Sequence, residues 1–116
     1  MQLDEIKKFG KENNVPISLD DTLSFLLSTI KQNNCKQILE IGTAIGYSAI
    51  AMATNTDCKH IDTVEIDKSR YDIAVENIKQ ADLQDKITPY LIDAMEFLKS
   101  CDKKYDLIYL DGAKNQ

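Results

Sequence analysis

A chain of 116 residues has room for one domain and not for two, and 43% hydrophobic with 28% charged residues is the composition of neither a disordered nor a fibrous protein. Its apolar runs are strand-sized, too short to span a bilayer, and residues Met1 to Lys8 lack the basic start and apolar core of a secretory signal, so a cytoplasmic location is expected. A net charge of −5 argues against a polyanionic partner such as nucleic acid, because Lys and Arg are scattered, with Lys7-Lys8 and Lys103-Lys104 the only doublets. The thiols Cys35, Cys58 and Cys101 are far apart in sequence, and the single His60 offers no zinc spacing with them. They read as reduced, partly buried thiols.

In chain order, residues Leu3 to Asn13 carry a loose amphipathic helix that Gly10 is expected to interrupt. Val15-Pro16-Ile17 then forces an extended link, since proline restricts its own φ and the residue before it. Ser18 is placed to cap a second helix, with Asp21 completing a variant capping box. Leu19, Leu23, Leu26, Leu27 and Ile30 form its buried stripe, and Asn33-Asn34 ends it. Beyond this N-terminal helical segment (1–34), residues 35–116 alternate between strand and helix periods. Gln37 to Ile41 reads as a strand, Gly46 to Thr54 as a small-residue helix, and His60 to Ile66 as a second strand. Asp67 caps a helix in which Tyr71, Ala74, Val75 and Ile78 share a face. A third strand at Ile87 to Ile92, a short helix at Ala94 to Ser100 and a fourth strand at Tyr105 to Leu110 complete the alternation.

This alternation implies parallel pairing through crossover helices, hence a Rossmann-like doubly wound α/β sheet in one domain. Ligands of such sheets sit beyond the carboxyl ends of the strands. Polar residues cluster there: Glu40 to Thr43, Glu65 and Asp67, Asp93, and Asp111. After the first strand, Gly42-Thr-Ala-Ile-Gly46 forms a turn that opens a helix, where glycines allow close backbone approach and free N–H groups await a ligand. The dinucleotide fingerprint G-x-G-x-x-G fits poorly, because it would need glycines where Ala44 and Tyr47 stand. Glu65 lies on the order of 20 residues past the glycines, the offset at which a carboxylate meets ribose hydroxyls. The pair suggests a nucleoside-containing cofactor without a bound pyrophosphate.

Three segments in order, Leu39 to Ser48, Val64 to Asp67 and Tyr109 to Lys114, resemble the class I S-adenosylmethionine-dependent O-methyltransferases of the catechol and caffeoyl-CoA type. The resemblance implies strand order 3-2-1-4 within a seven-stranded fold, of which this chain supplies four strands. It implies that Glu40 and the turn Gly42, Thr43, Ala44 and Gly46, with Ser48 nearby, hold the methionine part of S-adenosylmethionine. Glu65 would then bind the ribose, Ile66 would pack on the adenine, and Asp93 and Ala94 would meet the adenine edge. Asp111 would be the first ligand of a divalent metal such as Mg2+, and Lys114 the base that deprotonates a substrate hydroxyl. The rest of that metal site belongs to a later part of the family's fold, so the site is expected to be incomplete here.

The implied reaction is methyl transfer to a hydroxyl oxygen of a small catechol-like molecule. The alternatives are a truncated cofactor-binding module without catalysis, and part of a tRNA hydroxyuridine methyltransferase. The apolar fourth strand lacks a following partner, so the chain is expected to be a fragment of a longer protein or to self-associate through that edge.

Overall fold

The computed structural model describes residues 3–13 and 20–110. They form α1 (Leu3–Glu12), α2 (Asp20–Gln32), β1 (Gln37–Ile41), α3 (Tyr47–Asn55), β2 (His60–Glu65), α4 (Lys68–Gln80), β3 (Ile87–Leu91), α5 (Ala94–Ser100) and β4 (Leu107–Leu110). The four strands are all parallel, as the alternation of periods anticipated, and pair in the order β3-β2-β1-β4 that the resemblance implied. Glu40 of β1 lies beside Thr63 of β2, and Ile41 beside both Val64 and Leu110.

Residues of period two divide the sheet between two cores. Ile38, Ile61 and Ile87 pack on one face against Ile6 of α1, Leu23, Leu26 and Ile30 of α2, and Ile50 and Met52 of α3. Burying each such isoleucine or leucine contributes about 2 kcal/mol. Leu39, Ile41 and Val64 point to the opposite face, where Phe97 of α5 covers them. The tilted rings of Tyr90 and Phe97 meet there with centroids 5.1 Å apart. Among the described residues, no helix is long and apolar enough to cross a membrane.

Two helices end by the same device. Asn34 (φ 52) and Asp82 (φ 60) take the left-handed conformation. The amides after them, of Cys35 and Leu83, then donate back to the carbonyls of Ile30 and Ile78, at 3.0 and 3.1 Å. The stop expected at Asn33-Asn34 is therefore a Schellman closure, whereas the expected Ser18 cap lies outside the described residues.

Several expectations need correction. Gly10 does not interrupt α1; it lies buried within it. Packing outweighs the roughly 1 kcal/mol that glycine costs a helix. On α4 the buried face is Ala74, Asn77 and Ile78, while Val75 turns outward. The fourth strand begins at Leu107 rather than Tyr105. Asp106 accepts hydrogen bonds from the amides of Lys36 and Gln37 at 2.7 and 2.9 Å, fixing β4 against the start of β1. Along β4, Leu107 and Tyr109 pack inward while Ile108 and Leu110 remain exposed. Cys35 and Cys58 are buried, Cys101 is half-buried, and all three are free thiols.

Candidate functional site

The turn leaving β1 is the most constrained backbone in the described residues. Gly42 (φ 102), Ala44 (φ 50) and Gly46 (φ 93) all take positive φ within five residues. Ala44 thus adopts without glycine's freedom a conformation that L-residues rarely visit. The amides of Gly42 and Thr43 both donate to the carbonyl of Val64, at 2.8 and 3.1 Å, stitching the turn to β2. A Cβ added at Gly46 would meet Ala74 at an ordinary 3.6 Å, so that position needs glycine for its φ and not for room. The next residue, Tyr47, starts α3 and is buried in the core, as is Ser48. Asn77 of α4 donates from its side chain to the carbonyl of Ile45 at 2.8 Å, holding the turn from behind.

Two buried carboxylates flank this turn. Glu65, at the end of β2, is 5% exposed. Its Oε1 accepts from the Ala44 amide at 2.7 Å and its Oε2 from the Asp67 amide at 3.0 Å. The carboxylate thereby fixes the strained alanine and the start of the next loop, and each oxygen keeps further acceptor capacity. Glu40, on β1, has no exposed surface, and its Oε1 accepts from the Thr63 hydroxyl at 2.6 Å. Thr63 in turn lies 2.6 Å from the hydroxyl of Thr43.

Around them the remaining expected residues take up the carboxyl end of the sheet. Ile66 comes directly after Glu65 and is 70% exposed, an apolar side chain presented to solvent. Beside it, the amide of Ile92 donates to the carbonyl of Glu65 at 3.0 Å, so Ile66 and Asp93 leave neighbouring strands together. Asp93 is the N-cap of α5, accepting from the amides of Met95 and Glu96 at 2.8 and 3.3 Å, with Ala94 opening the helix. Asp67 caps α4 as expected; the Ser69 hydroxyl first, then the Arg70 amide, holds its carboxyl below the usual range. Asp111 and Lys114, expected as metal ligand and base, lie outside the described residues. Among the described residues, no group of three His, Cys, Asp or Glu side chains is placed to hold a metal ion.

A second polar cluster occupies the opposite, amino end of the sheet. Asp62 of β2 is 1% exposed, and its Oδ2 accepts from Tyr105 Oη at 2.7 Å and Lys103 Nζ at 3.0 Å. Its Oδ1 faces His60 Nε2 at 3.2 Å, a pair that becomes a charged bridge when the imidazole is protonated. Burial, and then the hydrogen bond to Asp62, push the Tyr105 hydroxyl far above its ordinary value, while that carboxylate raises the Lys103 ammonium. A cavity of about 170 Å³ opens beside the cluster, lined in part by Asp62, Tyr90, Phe97 and Lys103.

Sequence reasoning missed Thr63, Asn77 and Asp62. The signal available was a polar residue at a position whose period calls for an apolar one: Asp62 and Thr63 inside a strand, Asn77 on the inner stripe of a helix. Such residues are buried only with partners.

Comparison with known proteins bears on the whole chain. The model of an O-methyltransferase family matches residues 2–116. A provisionally assigned caffeoyl-CoA O-methyltransferase from Staphylococcus aureus is 34% identical, with a TM-score of 0.89 over 98% of this chain and 55% of that one. An O-methyltransferase from Bacillus cereus, solved in complex with S-adenosylhomocysteine, is 27% identical, with a TM-score of 0.80 over 94% of this chain and 53% of that one. A tRNA1(Val) (adenine(37)-N6)-methyltransferase from Mannheimia succiniciproducens is 42% identical over 72 residues, which is 60% of this chain and 29% of that protein. The chain thus spans about half the length of the two solved structures and less of the tRNA enzyme.

Proposed function

This chain belongs to the O-methyltransferase family, and on that premise we propose that it forms the S-adenosylmethionine-binding part of an enzyme that methylates a hydroxyl oxygen of a small, catechol-like molecule. The observation that carries this reading is the pair of buried carboxylates, Glu40 and Glu65, on either side of a turn with three positive φ angles. Hydrogen bonds fix the aim of each carboxylate, two backbone amides on Glu65 and the Thr63 hydroxyl on Glu40. Glu40 suits the ammonium of the cofactor's methionine part, and the turn from Gly42 to Gly46, with Ser48 behind it, gives that part a close backbone approach. Glu65, with acceptor capacity remaining on both oxygens, suits the two ribose hydroxyls. Exposed Ile66 offers an apolar face for the adenine, with Asp93 and Ala94 at its edge. When bound, the cofactor supplies an electrophilic methyl group on a sulfonium. The chain's part is to fix that group in place, so that displacement by the hydroxyl oxygen gains from proximity.

Lys114 is assigned the proton of the substrate hydroxyl and Asp111 one ligand of a Mg2+ ion. Each makes the oxygen a better nucleophile. The likeness to a tRNA methyltransferase supports tRNA as a second reading of the acceptor, but the net charge of −5 favours the small molecule. The outer edge of β4, with Ile108 and Leu110 exposed, is the proposed pairing edge for another strand, from the same protein or a second copy.

Titration calorimetry with S-adenosylmethionine and S-adenosylhomocysteine tests the cofactor assignment, and saturable heat at micromolar ligand is expected. Absence of heat at millimolar ligand sinks it. Methyl transfer to a catechol in the presence of Mg2+, measured on this chain and on a protein extended to the relatives' length, separates a catalytic domain from a binding module.

A further inference from the structure

Glu40, Thr63 and Thr43 form a closed relay. Glu40 and Thr63 are register partners on adjacent parallel strands, so their side chains stand on one face of the sheet. All three residues have no exposed surface. Thr63 has one hydroxyl proton, which it donates to Glu40 Oε1 at 2.6 Å. The 2.6 Å contact between Thr43 and Thr63 must therefore run from Thr43 to Thr63. Protons thus point in sequence from the glycine turn, through β2, onto the Glu40 carboxylate. Hydrogen bonds in series polarise one another, so the turn and the carboxylate are aligned as a unit before any ligand arrives. All three groups are closed to solvent, and Thr63 links Glu40 to the turn.

We propose that Thr63 is the positioning residue for the amino-acid end of the cofactor. It holds the Glu40 carboxylate in place for the cofactor's ammonium without touching the cofactor itself. The proposal rests on the assignment of S-adenosylmethionine to this site. It differs from the expected set of site residues, none of which is Thr63, and it makes a prediction that the assignment alone does not. Damage to Thr63 must be felt only by ligands that carry the amino-acid end.

The test is calorimetry on the full chain with two ligands: S-adenosylhomocysteine, and 5′-methylthioadenosine, which lacks the amino-acid end. Thr63→Val keeps the shape of the side chain and removes the hydroxyl. It is expected to weaken S-adenosylhomocysteine about ten-fold, the scale of one hydrogen bond to a charged group, and to leave 5′-methylthioadenosine within about two-fold. Thr63→Ser restores the hydroxyl and is expected to restore wild-type binding.

Equal weakening of both ligands, or no weakening of either, overturns the proposal while leaving the cofactor assignment standing. Failure of the wild-type chain to bind S-adenosylhomocysteine overturns both. If Thr63→Val does not fold, Thr63→Cys puts a weaker donor at the same position. A smaller loss, again confined to S-adenosylhomocysteine, is then required.

Discussion

Strand β2 buries a carboxylate near each of its ends, Asp62 toward the amino end and Glu65 at the carboxyl end, and the two are held in opposite ways. Asp62 is met at Oδ2 by side chains, an ammonium and a phenol, while its buried Oδ1 has no hydrogen-bond partner among the described residues and lies 3.2 Å from the His60 imidazole. Its charge is cancelled where it sits, and Lys103, the cation, is itself more than half exposed. Glu65 is met by two backbone amides, and Glu40 beside it by a hydroxyl. Amides and hydroxyls orient a carboxylate without neutralising it. One end of the strand therefore sets a cation against its carboxylate, and the other holds Glu65 through backbone amides.

Substitutions at the two ends put this contrast at risk, because one should cost binding and the other stability. The largest effect is expected from Glu65→Ala, which should weaken S-adenosylmethionine binding by about 100-fold, measured by calorimetry, through loss of an acceptor on charged hydrogen bonds. Asp62→Ala should do the reverse. It removes about 2 kcal/mol of unfolding free energy in urea titrations, discounted because Lys103 is partly solvated, and leaves cofactor affinity unchanged. A loss of affinity matching that of Glu65→Ala would erase the distinction between the two ends.

Smaller effects refine the picture. Gly46→Ala places a Cβ in ordinary space but at φ 93, so strain of about 1 kcal/mol should appear in its melting curve. The smallest and most conditional effect belongs to Asp106, whose carboxyl two backbone amides hold below its ordinary value of 3.8. A depressed carboxylate stabilises the fold above its unfolded value, and the gain is lost as pH falls through the folded one. The difference in melting temperature between wild type and Asp106→Ala should therefore be full at neutral pH and shrink below about pH 4. A difference that stays constant down to about pH 2 would assign Asp106 a role independent of its charge.

The gathering of the candidate residues at the carboxyl end of the sheet was legible before the fold was known. Glu40, the Gly42 to Gly46 turn, Glu65, Asp67 and Asp93 all stand at strand ends or just beyond them, and a parallel sheet gathers its carboxyl-terminal loops on one side. The cap at Asp67 was legible too, since it is read by the amides just after it, whereas the capping role of Asp93 came only from the structure. Thr63 and Asn77 were not legible, because each acts on a partner that the chain brings near only by folding: Glu40 is 23 residues from Thr63, and Ile45 is 32 from Asn77. Gly10 misled for a related reason. Local propensity marks it as a break, but packing against the sheet decides the matter.

Local periodicity and turn chemistry, which depend on neighbours in sequence, were enough to determine the alternation of strands and helices, the parallel sheet and the place of the glycine turn after β1. Only the tertiary structure decided which carboxylate meets a cation and which is held by backbone amides. That choice is made by groups tens of residues away, and burial turns their few ångströms of separation into the difference between a strut and a site.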